Sequence, residues 1–297
     1  MSDNNNFSVV DVPEPIAEAI ADTFNDLSTP ARKDIGNFLG DISYCVFGKL
    51  HTHISKRRIS DSLAVEFHEA TERTKHDLNL KKYLTSISDV IESTPDDKLC
   101  EPRLDIVGPA IEASKYYINT EEIRAMFVNL IGSSINIDTS KQVHHSFVEI
   151  IKQLSPLDAH ILQEFKNNNR RALAHYQIQH TTGGFTPIYS NVVLFNCSLD
   201  IVANSISVTN LDRLGVLRIE MITDLTDPRN YDVFKSESNY QKCLNIINQI
   251  KNGARPDYFK DELPISYRAL ADAIGLRLAQ HYVEVTPLGK SFIDCCL

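Results

Sequence analysis

Leu211-Asp212-Arg213-Leu214-Gly215-Val216-Leu217 is the stretch on which the fold turns. Leu211 and Leu214 close a helical face. Gly215 follows, a residue free to adopt positive φ and so suited to stopping a helix. Val216, Leu217 and Ile219 then read as a strand. Working outward toward the N-terminus, Ser207 to Leu214 is a helix, Leu199 to Asn204 a shorter one and Leu157 to Phe165 another. Toward the C-terminus, Tyr282 to Val285 is a second strand, and Thr286-Pro287-Leu288-Gly289-Lys290 turns it into a helix from Pro287 to Cys296. Helix, short helix, helix, strand, strand and helix is the order of a winged-helix-like module.

The residues before this module are mostly helical in pattern. Ile35, Phe38, Leu39, Ile42, Val46, Leu50 and Ile54 recur at helical spacing, and Ile59, Leu63, Phe67 and Ala70 start a second stripe after Lys56-Arg57-Arg58. Gly36 and Gly40 lie one turn apart, where close helix packing is the expected role. Turn residues cluster between 79 and 109, which reads as a loop holding one short helix. Thr120 stands as an N-cap, its hydroxyl able to accept from free N–H groups, ahead of the stripe Ile123, Phe127, Leu130 and Ile131. Val143 to Leu154 is another helix. Ser155-Pro156-Leu157-Asp158 combines a cap, a first-turn proline and an acid that reaches back as in a capping box. After Arg171 the period changes. Ala174, Tyr176 and Ile178 alternate, Gly183-Gly184 follows, and Phe185 to Val193 completes a β-hairpin. Tyr240 to Ile250 is a further helix, ended by Gly253. The expected fold is mainly α: a tail at 1–12, a helical N-terminal domain at 13–154, and an α+β winged-helix-like C-terminal domain at 155–297 with an inserted hairpin and helix.

Totals narrow the functional classes. The chain has 297 residues and a formal net charge of −9, which argues against a general coat for polyanions, since phosphate backbones reward clustered Lys and Arg. Six irregularly spaced cysteines need no disulfide framework in a chain of this length, and reduced thiols in a cytoplasm fit them. No lysine or arginine precedes Arg32, unlike a secretory leader. No run of about 18 apolar residues spans a bilayer.

Three stretches carry a family resemblance. They are Asp34 to Asp41 with Val46-Phe47-Gly48; Glu112 to Tyr117 with Glu121 to Ile131; and His144-His145-Ser146-Phe147-Val148-Glu149-Ile150-Ile151-Lys152-Gln153-Leu154-Ser155-Pro156-Leu157-Asp158-Ala159. Together they resemble the abortive infection alpha family, and the likeness spans roughly residues 30 to 295. The resemblance implies a bacterial protein of phage defence, in which the infected cell stops growing or dies. It brings no catalytic residues with it.

Candidate sites follow from residue chemistry. On the helix ending at Leu214, Thr209, Asn210 and Arg213 face outward and suit hydrogen bonds to bases, phosphates or a protein partner. Asp212 beside them repels phosphate. From Ser198 to Leu297, 11 Lys and Arg stand against 13 Asp and Glu, so the basic footprint of a DNA reader is missing. Arg170 and His175 have the spacing of a HEPN-like ribonuclease, in which arginine stabilises the charged transition state and histidine moves the proton. That chemistry needs both residues in one helical context. His68-Glu69-Ala70-Thr71-Glu72 lacks the second histidine of a zinc-protease helix, and His51, His53, His144 and His145 lack partners at ligand spacing. No metal or cofactor is implied, and neither the G-x-G-x-x-G nor the G-x-x-x-x-G-K-[ST] nucleotide motif is present. Adjacent Cys295 and Cys296 pair poorly with each other. The sequence therefore points to a non-enzymatic defence protein acting through a protein or nucleic-acid partner, or a second copy of itself. A ribonuclease using Arg170 and His175, a transcription regulator and a membrane effector are the alternatives.

Overall fold

A computed structural model of the protein describes residues 78–297, with Lys81, Pro102 and the side chain of Leu104 excepted. The stripes at 35–54 and 59–74, Lys56-Arg57-Arg58, His51, His53, His68, Cys45 and the first family stretch lie outside the described residues. The chain divides into two units, Met1–Leu78 and Asn79–Leu297. The second is built from nine helices among the described residues, counting only α-helices, and one sheet.

Residues 82–93 form helix α1. Then follow α2 (Leu104–Ser114), α3 (Glu121–Ile135), α4 (Ser146–Ile151) and α5 (Pro156–Phe165). The loop expected between 79 and 109 is thus largely helical. Pro109 sits inside α2, where its missing N–H and ring normally break a helix; burial of Ile106 and Ala110 against the core outweighs that cost. Thr120 occupies the N-cap of α3, but its side chain makes no capping hydrogen bond. The α5 cap forms in full. Ser155 Oγ accepts from the Asp158 N–H, and Asp158 Oδ2 accepts from the Ser155 N–H at 2.7 Å.

Four antiparallel strands follow the order β2-β1-β4-β3: β1 (Arg170–His180), β2 (Phe185–Val192), β3 (Leu217–Glu220) and β4 (Ala273–Val285). The remaining helices are α6 (Ile201–Arg213), α7 (Asp232–Lys235), α8 (Ser238–Lys251) and α9 (Pro287–Cys296). β1 and β4 pair over nearly their full length, from Arg170↔Glu284 to His180↔Ala273.

This arrangement corrects the mainly-α, winged-helix-like expectation. The fold is helices packed on a curled antiparallel sheet whose two central strands run 11 and 13 residues. Only the last four residues of β4 read as strand in the sequence. Leu276, Leu278, Ala279 and Gln280 are good helix formers, and pairing with β1 overrides that preference. The two helices expected at 199–204 and 207–214 are one continuous helix, α6, capped by the Asp200 carboxylate on the N–H groups of Val202 and Ala203. The turn that would divide a helix-turn-helix is absent there.

Three clusters of buried side chains hold the unit together. The largest joins α2 through α6, β3 and α9, with Phe127, Phe147, Phe165 and Phe292 at its centre. On β1, alternate residues Ala174, Tyr176 and Ile178 face two smaller clusters. One contains Cys243, Ile246 and Ile247 of α8; the other contains Tyr231, Phe234 and Tyr240. Strand periodicity puts those three residues on one face.

Candidate functional surface

The groove beside α6 starts from the α5 cap. Asp158 is 3% exposed. Its Oδ2 receives the Ser155 N–H and the Asn210 amide, the latter at 3.2 Å. Its Oδ1 is buried without a hydrogen-bond partner, and such an acceptor costs desolvation that nothing offsets. Asn210 Nδ2 also donates to the carbonyl of Gln153 at 3.1 Å. Arg213 donates to Gln153 Oε1 at 3.0 Å and to Asn210 Oδ1 at 2.8 Å. Thr209 Oγ1 donates to the carbonyl of Ser205 at 2.7 Å and accepts from Asn191 Nδ2 at 3.2 Å.

Thr209, Asn210 and Arg213 therefore share one helix, as expected, but their polar atoms are engaged within the chain. Asn210 and Arg213 tie α6 to the α4–α5 turn, and Thr209 ties it to β2. A base edge or phosphate would have to compete with bonds already made.

Apolar side chains are exposed on α6 and in the segment just before its cap. Leu199, Val202 and Ile206 are 91%, 50% and 67% exposed. Ile206 borders a recess of about 460 Å³ walled by Lys152, Gln153, Leu154, Ser155, Asp158, Ser207 and Asn210. Ser207 is buried and its hydroxyl bonds to no described residue. The Glu149 carboxylate, 2.9 Å from the Lys152 ammonium at the rim, raises the lysine pKa and neutralises it locally. The result is a set of exposed apolar side chains beside a recess lined partly by Ser207, with Asp158 Oδ1 sealed behind it. The sequence concealed this surface, because Val202 and Ile206 have the one-turn spacing of a core stripe.

Arg170 and His175 both lie on β1, so the helical frame required for a HEPN-like site is missing. Their register against β4 is unbroken and their separation is odd, which puts the side chains on opposite faces of the sheet. Arg170 Nε donates to Glu284 Oε2 at 2.9 Å, and its guanidinium lies 5.1 Å from the Tyr282 ring centroid. Arg218 binds the same carboxylate. His175 instead packs edge-on against His281, with ring centroids 5.0 Å apart. Burial, and then the neighbouring ring, lowers the His175 pKa.

His145 pairs with Asp105 at 3.2 Å, and His144 Nδ1 accepts from the Ser146 N–H at 3.1 Å at the start of α4. Among the described residues, no group of three or more His, Cys, Asp or Glu is placed to hold a metal ion. Cys295 and Cys296 are both free and buried. No helix among the described residues is long and apolar enough to cross a membrane.

The family model described as abortive infection alpha matches residues 75–296, well over half of the chain. No curated protein and no solved structure matches.

Proposed function

The chain belongs to the abortive infection alpha family, and from that membership we propose that it is a bacterial anti-phage defence protein working without catalysis, through a protein partner bound along α6. The observation that carries the binding surface is the exposed ridge of Leu199, Val202 and Ile206 beside the recess lined by Asp158 and Ser207. Exposed apolar side chains grouped beside a recess with polar walls suit a protein partner: the apolar contacts supply affinity and the polar rim supplies register. Nucleic acid is the less favoured partner, because Asn210 and Arg213 already bond within the chain and the surface lacks a basic footprint.

The test is phage plating on cells carrying the wild-type protein, Ile206→Asp or Val202→Asp. Wild type is expected to reduce plaque counts for at least one phage in a broad panel. Each variant is expected to lose that protection while keeping the wild-type melting temperature, since both side chains point to solvent. Equal plating with and without the wild-type protein sinks the defence reading. Full protection by both folded variants sinks the α6 surface.

A further inference from the structure

A second recess, away from α6, lies in the segment between β3 and β4. It measures about 360 Å³ and sits between the single-turn helices Pro256–Phe259 and Tyr267–Leu270. Arg255, Pro256, Asp257, Tyr267, Arg268 and Ala271 line it. The volume falls in the range of small-molecule sites.

The charges around it are unevenly spent. Arg255 grips Asp257 with two hydrogen bonds, Nε to Oδ1 at 3.1 Å and Nη2 to Oδ2 at 2.9 Å. That pairing neutralises the carboxylate in the lining and fixes the guanidinium plane. Farther along, Glu262 pairs with Lys242 at 2.7 Å, and Asp272, which follows the lining residue Ala271, is bonded to His180 Nδ1 at 2.8 Å. Arg268 is exposed, and its guanidinium bonds to no described residue. Among the described residues the other arginines are largely paired, so a five-donor cation is left at the recess. Beside it stands an aromatic face, since Tyr267 is 38% exposed. Tyr258, 69% exposed, lies under Arg255 at 5.7 Å.

A guanidinium binds phosphate with paired donors, and an exposed tyrosine ring stacks on a flat base. We propose that this recess binds a nucleoside phosphate, with Arg268 on the phosphate and Tyr267 against the base. The site is independent of the α6 surface and stands or falls without it. Its ligand is either a free nucleotide or one unit of a single-stranded nucleic acid.

Calorimetric titration of the full chain tests it, using AMP, GMP, CMP, UMP, inorganic phosphate and a short oligo-uridylate as probes. At least one nucleotide is expected to bind about tenfold more tightly than phosphate, as stacking of one base implies. Arg268→Ala and Tyr267→Leu should each weaken binding by about tenfold, with unchanged melting, because both side chains are exposed. Affinity rising from UMP to the oligomer marks single-stranded nucleic acid as the source; equal affinity marks a free nucleotide. The proposal is overturned if no probe binds, if phosphate alone binds as well as every nucleotide, or if both variants bind like wild type.

Discussion

Gly289 stands in the first turn of α9, against the end of the helix–strand junction at Gly215. A methyl group added at Gly289 would overlap the carbonyl oxygen of Val216, a backbone atom that cannot swing away. The same carbonyl accepts from the Thr286 N–H at 3.1 Å. Gly289→Ala is therefore expected to cost about 1–3 kcal/mol, the range for forcing atoms into packed space, read as a lower urea midpoint at unchanged slope. A midpoint equal to wild type would show that the junction yields. The histidine pair on β1 and β4 makes a second prediction at this scale. Burial depresses the His175 pKa below 6.5, with His281 adding to the effect. Burial, followed by the Arg277 charge, does the same to His281, against the opposing pull of Asp224, the Met221 carbonyl and Glu220. The unfolded chain takes up these protons first as pH falls. The stabilisation is complete above about pH 6.5 and lost as pH drops through the lower folded values. Melting temperature should fall between pH 7 and 5, and less steeply in a His175→Gln, His281→Gln double variant. Identical slopes would remove the pair as the cause.

Elements marked by local chemistry were legible, and those fixed by distant pairing were not. The end of α6 is a clear case. Gly215 has φ 73°, its N–H donates to the Asp212 carbonyl, and the Val216 N–H donates to the Leu211 carbonyl at 3.0 Å, the helix stop that the glycine announced. The capping box of α5 is another. Ser155→Ala is expected to lower stability by about 1 kcal/mol, the usual worth of a cap, and to loosen the Asp158 carboxylate that Asn210 also uses. Denaturation of Ser155→Ala beside Asn210→Ala and the double variant checks this. Strictly additive losses would mean that the cap and the α6 tie do not communicate. The first nine residues of β4 carry no such mark. Their strand state comes from Ala174, Tyr176 and Ile178 across the ladder and from α8 packed on β4. For the same reason α6 looked divided in the sequence, since Asn204, Ser205 and Ser207 are modest helix formers. In the structure, Asn204 is buried and donates to the carbonyls of Val193 and Ser198, which lets the helix run through.

Across the whole unit, the sequence reveals the family more readily than the working surface. The third family stretch runs from His144 to Ala159, and most of its apolar residues, Phe147, Val148, Ile150, Ile151 and Leu154, are core; the pattern that identifies the chain is largely the pattern that packs it. The α6 ridge and the recess at Arg268 depend on exposure and spent charge, which no spacing reports. The last helix is where packing decides most. α9 buries Phe292, Ile293, Cys295 and Cys296 in the large cluster. The Phe292 ring meets Phe147 edge-on at 5.3 Å. Ser133 Oγ and Asn129 Nδ2 of α3 donate to the carbonyls of Cys295 and Cys296 at 2.8 and 3.2 Å. A chain ending at Val285 would lose four buried side chains, the larger two worth about 1.5–3 kcal/mol each by burial, and would expose their neighbours on α3 and α4. Against a total stability of about 5–15 kcal/mol, that loss leaves little folded protein. Such a truncation should show no cooperative thermal transition and should protect no cells. Phe292→Ala, costing about 3–5 kcal/mol, should melt cooperatively at a lower temperature, and should still protect wherever it remains folded. A truncated chain that melts like wild type would mean that α9 is an accessory to the core rather than part of it.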